Sequence, residues 1–177
     1  MTVFAETVGR LRAHGTPFAL VGAAALALHG VVRSTRDLDV LTLDTRCLDT
    51  EYWRPIDAGA IDVAVRRGDA ADPLAGVVRL RATDGAAVDV VVGRSLWQRG
   101  ILERAQPATI DDIVVPVAQA ADLALLKLFA GGPQDLWDIG QLLHGDDADA
   151  IAADVERRLS ALPPQCARLW TDVRRAR

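Results

Sequence analysis

Apolar and polar positions alternate along this chain in two different rhythms. From residue 2 to residue 14, Val3, Phe4, Val8 and Leu11 recur at helical spacing, and Gly15 with Pro17 ends the run. Phe18–Val21 is a short continuous apolar stretch that predicts a buried strand. Ala23–Leu28 is built of good helix formers and predicts a helix that stops at Gly30. A second strand is predicted over 38–43. Residues 44–52 carry a poor signal, for either a short helix or a loop. Strands follow over 60–65 and 77–81, the latter alternating apolar and basic positions. Asp84-Gly85 is a hairpin signal, and the run VDVVV within 87–92 follows it as another strand. Ser95 is placed to cap a helix over 96–104. Two short strands are predicted at 107–110 and 113–117. From residue 118 the rhythm is helical throughout, over 118–130, 134–143, 147–161 and 164–175. Gly131-Gly132-Pro133 and Pro163-Pro164 provide the breaks.

Mixed strands and helices in the first two-thirds, and helices alone in the last third, predict an α+β fold with a C-terminal helical bundle. The division expected is a core over 1–117 and a helical region over 118–177. Half of the 177 residues are hydrophobic and a quarter charged, as in globular domains. No apolar run is long enough to cross a membrane, and the first residues lack a basic-then-apolar leader pattern. A cytoplasmic protein is therefore expected. Cys47 and Cys166 stand alone, with no CxxC, so neither a zinc site nor a structural disulfide is indicated. The net charge of −4 lies entirely within residues 111–177, which hold eleven acids and seven bases. That balance argues against a protein that coats nucleic acid electrostatically, though not against a local basic patch. Nineteen of the twenty basic residues are Arg, which leaves Lys127 as the single lysine.

The candidate chemistry lies in FALVGAAALALHGVVRSTRDLDVLTL, residues 18–43. Asp37 and Asp39 are two apart in a predicted strand, so they share a face about 7 Å apart. Two like charges so placed call for a counter-ion, and a hard divalent cation such as Mg²⁺ suits carboxylate oxygens. Asp89 sits among valines, where a carboxylate is costly unless paired or metal-bound. If its strand lies beside that of residues 38–43, three carboxylates meet at one sheet end and can hold two Mg²⁺ ions. Gly22 opens a helix directly after a strand. There the free N–H groups of Gly22-Ala23 are placed to meet phosphate, with Arg33 and Arg36 adding charge.

The string VGAAALALHGVVRSTRDLDV, followed by VDVVVG and KLFAGGPQDLWDIGQLL, resembles nucleotidyltransferases of the DNA polymerase β-like superfamily. Within that superfamily it is nearest to a small bacterial group that includes the toxins of type IV toxin–antitoxin systems. The resemblance covers about residues 15–145. It rests on the order of Gly22-Ala23, Arg33, Thr35, Asp37, Asp39, Asp89, Lys127, and Asp135 with Asp138. It implies a mixed, mostly antiparallel five-stranded sheet flanked by helices. It also implies Mg²⁺-dependent transfer of a nucleoside monophosphate from an NTP to a hydroxyl, with release of pyrophosphate. The acceptor would be a tRNA, a protein or a small molecule, and a cognate antitoxin is among the partners offered. Asp37 and Asp39 would bind both metals. Asp89 would bind the catalytic metal and take the acceptor's proton. Gly22, Ala23, Arg33, Thr35 and Arg36 would line the nucleotide side. Lys127 would face the triphosphate, and Asp135 would hold the lysine or orient the acceptor.

Two departures stand out. Many members carry Ser where this chain has Ala23, and many toxin-type members carry Arg and Lys where Gly131-Gly132-Pro133-Gln134 stands. Ala23 motivates an alternative, a degenerate member of the fold that binds nucleotide or a partner without turnover. A two-metal hydrolase ranks below both. The blander readings are a snorkelling Lys127, Asp135 and Asp138 as helix-dipole partners, a structural His29, tryptophans as core anchors, and Arg66 and Arg67 in a solvated loop. Trp97 or Trp137 walling a base, and Arg66 or Arg67 touching an acceptor, are the functional alternatives.

Overall fold

The computed structural model describes residues 2–32, 37–56 and 61–176. The described residues fall into two compact units. One runs to Ala24 and resumes from Asp37 to Ala118; the other comprises Ala25–Val32 and Gln119 onward.

The first unit is a seven-stranded mixed sheet with helices. Its strands are β1 (Phe18–Val21), β2 (Asp37–Thr42), β3 (Ile61–Arg67), β4 (Leu74–Ala82), β5 (Ala87–Gly93), β6 (Gln106–Ile110) and β7 (Ile113–Val117). They lie in the order β3-β4-β5-β2-β1-β7-β6. Four of the six strand pairs are antiparallel; β2–β5 and β1–β7 are parallel. The family resemblance implies five strands, and the structure corrects this to seven. The seven apolar runs in the sequence each form a strand, and the β6–β7 hairpin extends the far edge.

Helix α1 (Val3–Ala13) starts at Thr2, whose hydroxyl accepts from the Ala5 N–H at 3.2 Å. It turns Val3, Phe4, Val8 and Leu11 inward and packs against β4 and β5. Val78, Leu80, Val88 and Val90 are fully buried there. The residues between them, such as Arg79 and Asp89, therefore point to the opposite face. Helix α2 (Gly22–Leu28) follows β1 without a linker. Residues 44–52 form a 3-10 turn, Thr45–Leu48, and the short helix α3 (Thr50–Trp53). Helix α4 (Trp97–Arg104) lacks the Ser95 cap; instead the Gln98 carboxamide accepts from the Ser95 N–H at 3.0 Å.

The turn after β2 holds a polar cluster. Asp44 accepts from Arg46 at 2.6 Å and from the Thr16 hydroxyl at 2.8 Å, and that hydroxyl also bonds the Tyr52 phenol. The Arg46 hydrogen bond outweighs burial and holds the Asp44 carboxyl down, from 3.8 to about 2. A carboxylate depressed in this way stabilises the fold above its unfolded pKa, and that stability is lost as pH falls toward about 2. Arg46 is mostly exposed, so screening cuts the contribution to about 1 kcal/mol. Asp44→Asn is expected to lower stability by that amount near neutral pH in urea unfolding. The gap from wild type should close as pH falls through 3.8 toward 2.

The second unit contains helices α5 (Ala120–Ala130), α6 (Pro133–Leu142), α7 (Ala148–Arg158) and α8 (Pro164–Arg175), with a 3-10 turn at Leu159–Ala161. Helix α5 packs against α6, α7 and α8, and Leu123, Leu125 and Leu128 on it, like Ile139, Val155 and Trp170 on the other three, are buried. Gly131 ends α5 in the left-handed region, with its N–H donated to the Lys127 carbonyl at 2.8 Å. No helix of the described residues is long and apolar enough to cross a membrane. Each unit holds one free, fully buried cysteine, Cys47 in the first and Cys166 in the second. Burial pushes the Cys47 thiol up to about 12 and raises that of Cys166.

Candidate active site

Strands β2 and β5 are parallel neighbours, and their register sets Asp39 directly beside Asp89. Asp37 lies two positions earlier on β2, so all three carboxylates share one face. Val21, the last residue of β1, pairs with Asp39. The Asp39 side chain therefore lies against the β1–α2 junction.

Gly22 makes that arrangement possible. Its φ is +67°, and a Cβ at this position would collide with the Asp39 carboxylate. Any larger residue drives the carboxylate away and strains the backbone by about 1–2 kcal/mol. Gly22→Ala is expected to lower the melting midpoint by several degrees. On the activity that the sequence resemblance implies, it should also reduce NTP affinity and turnover together, because the displaced group is Asp39. Calorimetry and nucleotide titration check this. An unchanged NTP affinity in the folded variant removes Gly22 from the site.

The sequence reading has three carboxylates converging on a metal cage. The structure keeps them on one face but differs in what lies between them. Arg79 on β4 pairs across to Asp89 in register, and its guanidinium spans two of the three acids. Nη1 donates to Asp89 Oδ2 at 2.9 Å and Nη2 to Asp37 Oδ2 at 2.5 Å. Among the described residues, no three His, Cys, Asp or Glu side chains are gathered closely enough to share one metal ion. The physical reason is charge. Like carboxylates repel, and here the neutralising cation is the chain's own guanidinium.

The donor set still fits a hard divalent cation. It consists of carboxylate oxygens only, and Asp89 Oδ1 is buried without a hydrogen-bond partner, as is Arg79 Nε. An orphaned acceptor of this kind is costly to maintain and marks a place for a ligand. Burial raises the Asp89 pKa; Arg79 opposes this, Asp37 adds to it, and Arg81 and Arg66 oppose it. Asp37's hydrogen bond and the charge of Asp89 keep Arg79 protonated. Beside Asp89 lies a hollow of about 320 Å³ lined by Ala64, Val65, Arg66, Val77, Arg79 and Asp89.

Other expected site residues are distributed differently. Ala23 is buried within α2. Arg33, Thr35 and Arg36 lie outside the described residues. Lys127, Asp135 and Asp138 form their own cluster in the second unit. The ammonium lies 2.7 Å from Asp135 Oδ1 and 2.9 Å from Asp138 Oδ2. Asp135 also accepts from the Gly132 N–H at 3.1 Å at the start of α6. Burial works against the lysine's charge, and the hydrogen bonds to the two aspartates outweigh it, so its pKa is raised. Lys127 is thus an ion-paired lysine, not a snorkelling one. Trp137 is half-exposed along an apolar groove of about 390 Å³ within the second unit, Trp53 is fully buried and His29 is exposed. Arg66 and Arg67 stand in strand β3, not in a loop.

Arg79 is the residue that sequence reasoning missed. The signal available was the alternation VVRLR ahead of a hairpin turn, which puts a basic residue across from the VDVVV strand.

No protein-family model matches the chain, and no curated protein matches it. Solved structures do. The antibiotic-resistance factor ANT(2″)-Ia superposes in its solution structure with a TM-score of 0.57 at 11% identity, over 89% of this chain and 90% of that one. The same factor in complex with adenylyl-2″-tobramycin gives 0.54 at 11% identity, over 89% and 95%. A nucleotidyltransferase assigned in Thermotoga maritima gives 0.53 at 17% identity, over 80% and 91%. Identities this low carry architecture alone, and that architecture is shared: the chain has the nucleotidyltransferase fold.

Proposed function

We propose that this protein is a Mg²⁺-dependent nucleotidyltransferase that moves a nucleoside monophosphate from an NTP to a hydroxyl acceptor. The observation that carries the reading is the register of Asp39 beside Asp89, with Asp37 on the same face and Gly22 packed against Asp39. Asp37, Asp39 and Asp89 would hold two Mg²⁺ ions, which supply charge neutralisation for the triphosphate and polarise the reacting oxygens. Asp89 takes the proton of the acceptor hydroxyl as that oxygen bonds to the α-phosphorus. The α–β phosphoanhydride bond breaks, and pyrophosphate leaves with its electron pair. Backbone N–H groups at Gly22 and Ala23, with Arg33, Thr35 and Arg36, serve the nucleotide. The resemblance also assigns Lys127 to the triphosphate. That role requires the ammonium to exchange Asp135 or Asp138 for a phosphate oxygen.

The test is incubation of the protein with labelled NTPs, Mg²⁺ and cell extract. Transfer of label with release of pyrophosphate supports the reading. No NTP binding and no transfer by folded protein sinks it. The finer role, as the toxin of a pair with a cognate antitoxin, is tested by growth. Expression of the protein alone should slow cells, and Asp39→Ala should relieve the effect.

A second reading is favoured by one observation, the Arg79 bridge between Asp37 and Asp89. A permanent bridge would give a nucleotide-binding protein without turnover. It predicts NTP binding that persists in Asp89→Asn, with no transfer by either form.

A further inference from the structure

Four side chains on the face that bears Asp89 are charged beyond the proposed metal ligands. Arg79 and Arg81 alternate on β4, and the neighbouring edge strand β3 adds Asp62 and Arg66. Arg66 and Arg81 form no ion pair within the described residues, even though Asp62 lies across from Arg81 in register. Three guanidinium groups therefore face one carboxylate outside the triad. The hollow beside Asp89 is walled by two of them, Arg66 and Arg79. Two of its wall groups have unmet hydrogen-bonding capacity: Arg79 Nε is a buried donor and Asp89 Oδ1 a buried acceptor.

The two orphaned atoms are opposite in kind. Both belong to groups that wall the hollow, Arg79 beside Arg66 and Asp89 with them. An anion in the hollow meets the two guanidinium groups, and a hydroxyl there satisfies the Asp89 oxygen that has no partner. Arginine forks suit phosphate oxygens in particular. Within the hollow a cationic acceptor would meet two guanidinium groups against the single carboxylate of Asp89.

We propose that the hollow beside Asp89 is the acceptor subsite and that it takes a phosphate-bearing hydroxyl compound, with Arg66 and Arg79 binding the phosphate. This rests on the nucleotidyltransferase reading and narrows its acceptor. Arg66 and Arg79 set acceptor specificity, and Asp89 meets the hydroxyl.

The experiment measures binding by titration calorimetry and, separately, transfer from labelled NTP with Mg²⁺. The probes are ribose 5-phosphate, ribose, a short ribo-oligonucleotide with a free 3′-hydroxyl, and tobramycin. Binding of either phosphorylated probe, with ribose and tobramycin at least tenfold weaker, is the expected result. Comparing the sugar phosphate with the oligonucleotide tells which source of phosphate is used. Arg66→Glu should weaken the preferred probe at least tenfold more than it weakens NTP, and Arg66→Lys should restore most of the loss. Arg66 is exposed on an edge strand, so these variants are expected to fold. Preference for tobramycin or ribose overturns the proposal, as does equal binding of all four probes or an Arg66→Glu effect that falls on NTP alone. Absence of NTP binding strikes the transferase reading instead. In that event the calorimetric probe ranking and its Arg66 dependence still decide whether the hollow takes phosphate.

Discussion

Asp89→Asn is expected to lower the proposed nucleotidyl transfer by about a thousandfold and to leave the protein folded. The substitution keeps the shape of the side chain and one acceptor for Arg79, but removes the charge and the basicity. A positioned proton acceptor alone is worth about 10²–10⁴ in rate. Stability should move little, because burial already disfavours the charged form of Asp89 and the amide avoids that penalty. Arg79 also keeps its second partner, Asp37. Initial rates of pyrophosphate release and a melting curve check both halves. A variant that turns over within tenfold of wild type takes Asp89 out of the reacting centre.

Lys127→Met is expected to destabilise the chain by about 3 kcal/mol, because it strips a counter-ion from a carboxylate that has no exposure to water. Asp138 is fully buried, and the lysine itself is only 17% exposed. Methionine fills the stem's volume but removes the ammonium that neutralises the buried Asp138 carboxylate, which keeps its hydrogen bond from the Gln134 amide at 3.3 Å. For a chain of this length the loss corresponds to a fall of about 10 °C in the melting midpoint. The double variant with Asp138→Asn should recover much of it. Because the lysine's folded pKa is raised, its contribution is complete below 10.5 and fades as pH climbs through the higher folded value. A Lys127→Met protein with unchanged melting and weakened NTP binding would instead make the lysine a nucleotide ligand first.

The strands and helices were legible because apolar spacing, glycine and proline acted together. The β2–β5 neighbourhood was legible only as a condition, since a parallel pair separated by two further strands leaves no local trace in the sequence. The strand count was legible in the apolar runs, and the family likeness pointed to fewer. Arg79 escaped for a reason of register. Reading Asp84-Gly85 as a two-residue turn sets Arg79 across from Val90, on the wrong face. The chain closes a three-residue loop instead, with the Ala82 N–H donated to the Ala86 carbonyl at 2.9 Å and Gly85 at φ +88°. That one-residue change brings Arg79 opposite Asp89. The resemblance gives Asp135 as a partner of Lys127 as one of two options. Asp138 as a second, buried partner is not legible in the sequence, because helix spacing alone does not report depth. The roles expected of Arg33, Thr35 and Arg36 rest on the motif.

One sheltered thiol in each compact unit makes this chain its own reporter. A maleimide dye added in excess should leave the native protein unlabelled and then mark each sulfur at the rate at which its surroundings open. Peptide mapping of the Cys47 and Cys166 fragments would separate the two opening rates without any engineered probe. Matching rates would mean that the sheet and the helices come apart as one cooperative event, and differing rates would rank them.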